Sequence, residues 1–118
     1  MSGKITTHAL DTSTGKPASG LRVELYYIDE TGGRQLSSAG LTEVDGRMGR
    51  PLAEGGPLRT GVYELLFRAG DYYRRRQGRA YDGIWDEIPV RFTVSEPGGH
   101  YHIPLLLAPG GFSAYRGS

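Results

Sequence analysis

The chain has 118 residues, no cysteine and a net charge of +1, from 14 Lys and Arg against 13 Asp and Glu. This length fits one domain, residues 1–118, and excludes a multidomain enzyme. The missing cysteines exclude disulfides, thiolate metal ligands and a cysteine nucleophile. The balanced charge disfavours a nucleic-acid partner. Because no apolar run resembles a signal peptide or is long enough for a membrane helix, we expect a soluble cytoplasmic protein.

Glycine and proline are frequent and scattered, with 19 Gly and 7 Pro. Without a repeat, this composition indicates many short elements joined by tight turns, which is typical of an all-β domain. The first candidate strand covers residues 5–11 and places His8 on the face opposite Ile5, Thr7 and Ala9.

Four further segments have the pattern of strands. Residues 21–28 alternate apolar and polar side chains, and residues 62–67 and 88–94 also have the composition of strands between turn residues. Residues 103–107 form a denser apolar run, in which Pro104 indicates an edge strand or a side whose N–H is not used. Seven or eight short strands at these spacings predict two sheets packed over one core.

The segments between the strands carry few helix signals. Residues 11–20 and 51–59 are rich in turn formers, so at most one short helix is expected, near residues 52–58, where Gly55-Gly56-Pro57 disfavours it. The run 72–79 mixes tyrosines with arginines. We interpret it as a solvated loop between strands, and a nucleic-acid-binding module is the alternative.

Two of the three histidines, His100 and His102, lie two residues apart in a predicted strand, so both side chains leave one face. Three interpretations stay open at this point: a solvated polar face, general bases that act near neutral pH, or a zinc site with His8 as third ligand. The sequence supplies no cysteine and no obvious carboxylate ligand for the zinc site.

Arg47 and the C-terminus are the other notable features. Arg47 follows the tight-turn dipeptide Asp45-Gly46, which displays the next side chain at a loop, and spacing alone favours a solvated arginine. The chain ends in Tyr115-Arg116-Gly117-Ser118, an aromatic and cationic terminus where most domains have featureless polar residues.

Recognisable motifs recur along almost the whole chain. They are Thr7-His8-Ala9-Leu10-Asp11, Gly15-Lys16-Pro17-Ala18, Asp45-Gly46-Arg47, Gly61-Val62-Tyr63-Glu64-Leu65, Gly70-Asp71-Tyr72-Tyr73, His100-Tyr101-His102-Ile103-Pro104-Leu105-Leu106-Leu107 and Tyr115-Arg116-Gly117-Ser118. With these motifs the sequence resembles the transthyretin-related family, the 5-hydroxyisourate hydrolases. The histidine-containing run and the terminal tetrapeptide separate these hydrolases from the hormone-carrying transthyretins, which lack both.

The resemblance implies a sandwich of two four-stranded antiparallel sheets, assembled as a homotetramer with catalytic clefts at the dimer–dimer interface. It also implies the reaction, which is hydrolysis of 5-hydroxyisourate, the product of urate oxidation, to 2-oxo-4-hydroxy-4-carboxy-5-ureidoimidazoline. No cofactor or metal is implied. A non-catalytic, transthyretin-like protein that binds a small ligand is the alternative.

Each functional position of the family carries the family's residue in this sequence. The resemblance implies the catalytic residues His8, Arg47, His102 and Ser118, and the substrate-binding residues His100, Tyr115, Arg116 and Gly117. We expect His102, with His8, to position and deprotonate water, and Arg47 to hold the developing oxyanion.

The sequence departs from the family pattern before the terminal motif. The family usually has Ser-Pro-Tyr-Gly-Tyr-Ser-Thr at residues 108–114, so Gly110 lacks a ring and Phe112 lacks a hydroxyl. Trp85 lies in a second divergent stretch and is expected to stand in for the missing aromatic ring. We expect these changes to affect packing and substrate affinity more than the reaction.

Overall fold

The strands of the protein pack as a two-layer sandwich. The computed structural model describes residues 1–118, which form nine strands, one α-helix and a single 3-10 turn. The strands are β1 (Gly3–Asp11), β2 (Lys16–Pro17), β3 (Arg22–Ile28), β4 (Arg34–Leu41), β5 (Ala53–Gly56), β6 (Gly61–Arg68), β7 (Glu87–Val94), β8 (His100–Ala108) and β9 (Gly111–Ala114), with helix α1 (Ala69–Gln77) between β6 and β7. The helix is too short and too polar to span a membrane.

The strands form two sheets, which confirms the predicted all-β sandwich. One sheet has the order β4-β3-β6-β7 and is antiparallel throughout. The other has five strands, in the order β2-β1-β8-β9 with β5 also paired to β1. It differs from the expected four antiparallel strands in two ways. It has a fifth strand, and β1 and β8 run parallel. These two strands lie at opposite ends of the chain, so the rest of the sandwich serves as the long connection that a parallel pair needs.

The core is a cluster of 20 buried apolar residues, to which the inner faces of the two sheets, helix α1 and the loops contribute. In β1 the positions Ile5, Thr7 and Ala9 face this core, while Thr6 and His8 lie on the outer face. The predicted orientation of His8 is therefore confirmed. Strand β1 buries one face and leaves the other for polar side chains.

Pro104 does not mark an edge strand. Strand β8 lies between β1 and β9, so the first of the two explanations for this proline is wrong. The regular pairing with β9 ends at Leu105 opposite Ala114, and beyond it the Tyr115 N–H donates to the Pro104 carbonyl at 3.4 Å and the Gly117 N–H to the His102 carbonyl at 2.7 Å. Pro104 thus lies where the regular ladder on this side has already stopped.

The helix does not occur where the sequence placed it. Residues 52–58 contain strand β5, and the run 72–79, predicted as a loop, lies mostly in helix α1. The prediction was wrong because Tyr72 and Tyr73 are buried on the inward side of this helix. Its arginines face outward, where cations near the C-terminal end are favourable for the helix dipole.

Helix α1 is anchored to β1 by a buried carboxylate. Asp11, 1% exposed, accepts hydrogen bonds from the hydroxyls of Tyr72 at 2.9 Å and Tyr73 at 3.1 Å, and from Ser13. Burial raises the pKa of the Asp11 carboxyl, but these hydrogen bonds outweigh it and hold the pKa below its ordinary value. Burial, with the bond to Asp11, raises the pKa of Tyr72 to about 12.

We expect Asp11→Ala to lower the free energy of unfolding by about 3 kcal/mol, because it leaves two buried hydroxyls without an acceptor. Urea unfolding followed by the fluorescence of Trp85 measures this loss. The control Asp82→Ala removes an exposed carboxylate and should change the free energy by less than about 0.5 kcal/mol. Equal unfolding midpoints for the two variants would contradict the anchoring role of Asp11.

Candidate active site

The outer face of the β1–β8 pair carries the histidines. The parallel register sets Lys4 opposite His100, Thr6 opposite His102 and His8 opposite Pro104. Because side chains alternate along a strand, His100 and His102 leave the same face, as predicted, and their ring centroids lie 6.0 Å apart. His8 shares this outer face, displaced by one pair along β1.

A tight turn holds Arg47 beside β1. Gly46 has φ +81°, its carbonyl accepts from the Ala9 N–H at 2.9 Å, and a Cβ at this position would clash with the Ala9 carbonyl. The Asp45 carboxylate accepts from the Arg47 N–H at 3.0 Å, and Arg47 forms an isolated antiparallel bridge with His8. The turn needs glycine for its backbone, and it places the next side chain, Arg47, at the histidine face.

The C-terminal tail runs beside β8 as far as His102. The Gly117 N–H donates to the His102 carbonyl at 2.7 Å. A Cβ at Gly117 would clash with the His102 ring and press on Pro104. The close approach therefore requires glycine, and it brings the terminal Ser118 to the same face as His102.

These elements enclose a cavity of about 270 Å³. Ten residues line it: Thr6, Thr7, Arg47, Met48, Gly49, Arg50, Pro51, His100, His102 and Ser118. Three of the four predicted catalytic residues and one predicted substrate-binding residue thus lie around one space, with Gly117 against its wall. A larger cavity, about 950 Å³, lies between β4 and residues 48–59 but contains no histidine, so the smaller one is the candidate active site.

The cavity does not include every predicted site residue. Tyr115 and Arg116 line a separate cavity of about 260 Å³ together with β7 residues. The Arg116 guanidinium lies 4.7 Å from the ring centroid of Tyr101. In the isolated chain these two side chains are therefore apart from His102.

His8 contributes from the edge of the site and does not line the cavity. Its Nε2 lies 2.8 Å from the carbonyl oxygen of Asp45. A carbonyl only accepts hydrogen bonds, so Nε2 must carry a proton and donate it. In the neutral ring this leaves Nδ1 of His8 as the only nitrogen that can accept one.

The surroundings of His102 favour its neutral form. Burial, then the positive charge of Arg47, then His100 and His8 lower the pKa of His102 below its ordinary value. Its Nδ1 lies 2.8 Å from Thr6 Oγ1, whereas Nε2 has no protein partner and is reached by solvent. His102 therefore has the properties of a general base at neutral pH.

Six of the ten cavity residues, among them Thr6 and Arg50, were not singled out by the sequence analysis. Thr6 shares the outer face of β1 with His8, and the period of two along that strand is the signal that could have indicated it. Arg50 lies three residues after Arg47 in the same loop and adds a second cation to the cavity. Nothing in the sequence distinguishes Arg50 from a solvated arginine, because its place depends on the fold of the loop.

The zinc interpretation requires a third ligand beside His100 and His102. The structure contains no group of three or more His, Cys, Asp or Glu side chains that could hold a metal ion. His100 and His102 instead direct one ring nitrogen each at the hydroxyl of Thr6. Of the three interpretations of the histidine pair, the geometry does not support the zinc site.

The divergent aromatic residues contact each other. Trp85 packs edge-to-face against Phe112, with ring centroids 5.2 Å apart and an interplanar angle of 87°. At Gly110 no atom lies near the position that a side chain would take. Trp85 therefore adds a ring beside Phe112, while the space next to Gly110 stays empty in the single chain.

Comparisons with known proteins agree on one family. The sequence pattern of the HIUase/Transthyretin family matches residues 5–117. A relative from Halalkalibacterium halodurans named 5-hydroxyisourate hydrolase is 51% identical over 120 residues, which cover 100% of both chains. The structure of Klebsiella pneumoniae 5-hydroxyisourate hydrolase has a TM-score of 0.83 at 34% identity and covers 98% of this chain and 99% of its own. An (S)-allantoin synthase structure has a TM-score of 0.86 at 37% identity over 99% of this chain, which spans 44% of that longer one. The chain belongs to the HIUase/Transthyretin family.

Proposed function

We propose that the protein hydrolyses 5-hydroxyisourate to 2-oxo-4-hydroxy-4-carboxy-5-ureidoimidazoline, a step of urate catabolism. The observation that carries this proposal is a single cavity lined by His102, Arg47 and the C-terminal Ser118. The pKa of His102 is lowered there, which favours the neutral ring. The name of the full-length relative at 51% identity supports it. A ligand carrier has no need for a base beside an arginine, so the hydrolase is favoured over a transthyretin-like binding protein.

His102 activates the water molecule. Its Nε2 is free of protein partners and reached by solvent, so it accepts a proton from water as the oxygen attacks a ring carbonyl of the substrate. His8 assists from the edge of the site through Nδ1, because its Nε2 is engaged by Asp45. His102, assisted by His8, thus supplies the base that the ring-opening step requires.

Arg47 stabilises the charge that develops on the carbonyl oxygen. Its guanidinium offers a fixed fork of donors, which suits an oxyanion or the anionic edge of a planar ring. Arg50 also lines the cavity, and its exposed guanidinium is paired with the Glu54 carboxylate at 3.6 Å. Ser118 contributes a hydroxyl and the terminal carboxylate, both of which can bind the polar edge of the substrate or orient the water.

We expect the protein to accelerate the decay of 5-hydroxyisourate generated in the cuvette from urate by urate oxidase. The ultraviolet absorbance follows the decay, and the spontaneous rate is subtracted. His102→Ala should lower kcat by about 10²–10⁴-fold through loss of the base, and Arg47→Ala by about 10²–10³-fold through loss of the oxyanion donor.

The matched control is Arg79→Gln, which removes an exposed arginine of the 3-10 turn and should leave the rate unchanged. Circular dichroism verifies that each variant is folded. A parent protein that does not exceed the spontaneous rate would overturn the proposed function and favour the ligand carrier. Full activity in both alanine variants would instead overturn the residue assignment.

We expect the acid limb of the kcat/KM profile to have its midpoint below about pH 6.5, the ordinary pKa of histidine. Burial and the Arg47 charge lower the pKa of His102, so its base form persists until the pH falls below that value. The charged or titratable groups that face His102 are Arg47, Arg50, His8, His100 and the Ser118 carboxylate.

Removal of the Arg47 charge tests whether this charge lowers the pKa of His102. In Arg47→Gln the pKa of His102, measured by NMR titration of its ring, should rise toward the ordinary value because a like charge is gone. Arg79→Gln serves again as the control and should leave the titration where it is. An unchanged His102 titration in Arg47→Gln would contradict the electrostatic explanation.

The functional unit proposed here is a homotetramer of single-domain chains in the cytoplasm. Arg47, His100 and Ser118 are exposed in the single chain although they line the cavity. A second chain that covers the β1–β8 face would remove these groups from water, which strengthens the electrostatic interactions within the cavity. Leu106 is half-buried on the same face and offers apolar contact area to such a partner.

Sedimentation equilibrium should therefore give about four times the chain mass of 12.9 kDa. Leu106→Arg should split the tetramer and reduce activity, because a charge placed in an apolar contact is costly. Leu36→Arg on β4, where the leucine is 60% exposed, should leave both mass and activity unchanged. A monomeric parent protein with full activity would contradict the tetrameric site.

A further inference from the structure

Thr6 lies between the two cavity histidines. Its Oγ1 is 2.7 Å from Nε2 of His100 and 2.8 Å from Nδ1 of His102. The parallel register produces this arrangement, since Thr6 is paired with His102 and its neighbour Lys4 with His100. One hydroxyl thus joins an exposed imidazole to a half-buried one.

The hydroxyl of Thr6 has one proton, so it can donate to only one of the two ring nitrogens. It must accept an N–H from the other. If His102 is to take a proton at Nε2, then Nδ1 of the neutral ring carries the hydrogen and donates it to Thr6. Thr6 in turn donates to Nε2 of His100, whose remaining proton is on Nδ1.

The surroundings of His102 disfavour the cation that it would form on accepting a proton. Burial and the Arg47 charge keep His102 unprotonated, and the same effects oppose the cation that it would become on accepting a proton. His100 is exposed, and at that position water can take up the charge. A path from His102 to His100 would allow His102 to act as a base without holding a net positive charge.

We propose that the Thr6 hydroxyl is a proton relay between His102 and His100. As water attacks the substrate carbonyl, its proton goes to Nε2 of His102 and the Nδ1 proton of His102 goes to Thr6 Oγ1. The Thr6 hydroxyl proton goes to Nε2 of His100, and the Nδ1 proton of His100 goes to solvent. One proton leaves the water molecule, one enters solvent, and both rings end neutral.

The relay runs in reverse when the ring of the substrate opens. The carbon–nitrogen bond breaks, the leaving nitrogen takes the proton from Nε2 of His102, and Thr6 returns a proton to Nδ1 of His102. His100 resupplies Thr6 from Nε2 and recovers a proton from solvent at Nδ1. The protein is thereby restored, and Thr6 acts through His102 as a positioning residue rather than on the substrate itself.

This inference rests on the proposed hydrolase function, and the test uses Thr6→Val and Thr6→Ser. Valine has nearly the shape of threonine and equally suits a strand but has no hydroxyl, whereas serine keeps the hydroxyl. We expect Thr6→Val to lower kcat by about tenfold or more with a much smaller change in KM, and Thr6→Ser to restore most of kcat. The control Thr60→Val changes an exposed threonine outside the cavity and should keep the parent rate.

Two readouts separate a relay from a merely structural role. In mixtures of light and heavy water, the parent kcat should depend on deuterium content along a curve, since several protons move together, and Thr6→Val should give a straight line. In ¹⁵N NMR spectra, the neutral His102 ring of the parent should carry its proton on Nδ1, and Thr6→Val should shift it toward Nε2.

The NMR measurement needs no substrate, so it distinguishes two kinds of failure. A parent protein without hydrolase activity would overturn the proposed function, and the relay with it. An active parent in which His102 carries its proton on Nε2 would overturn the relay and the role of that nitrogen as the base. An active Thr6→Val with unchanged kcat and isotope dependence would overturn the relay alone.

Discussion

The parallel pairing of β1 with β8 determines which side chains meet outside the core. Its register sets Thr6 beside His102, and with the turn that holds Arg47 and the tail that ends at Ser118, it builds the cavity. Side chains alternate with a period of two, so a slip of one residue would turn His102 into the apolar core and Ile103 out to the cavity. The chemistry of the site therefore depends on the same burial of β1 and β8 that stabilises the sandwich.

Two sets of polar contacts in the C-terminal half of β1 hold this pairing in place. At the C-terminal end, Asp11 links the strand to helix α1 through two buried tyrosine hydroxyls. At His8, the Gly46 turn attaches by a backbone hydrogen bond and an isolated bridge. Each contact uses a group that the core leaves unpaired, so the requirement that buried polar groups be satisfied also determines where Arg47 lies.

The sequence predicted the sandwich and the faces of its strands because these follow from a period of two and from turn residues, both of which are local. It placed His100 and His102 on one face for the same reason. The parallel pairing of β1 and β8 was not predictable, since it depends on which distant strands meet. Helix α1 was missed because Tyr72 and Tyr73 are buried in the core and hydrogen-bonded to Asp11, contacts with residues distant along the chain.

The cavity residues also could not all be predicted, because some of them matter only through contacts between distant strands. His102, Arg47 and Ser118 were identified by resemblance to a family. Thr6 was not, because a lone threonine in a strand carries no signal of a functional role. Its importance arises only when two imidazoles lie on either side of one hydroxyl. In the proposed relay, His102 passes its proton to a partner in contact with solvent and so stays neutral near Arg47. The strand that carries His102 supplies that partner two residues earlier, at His100, and β1 supplies the hydroxyl that joins them.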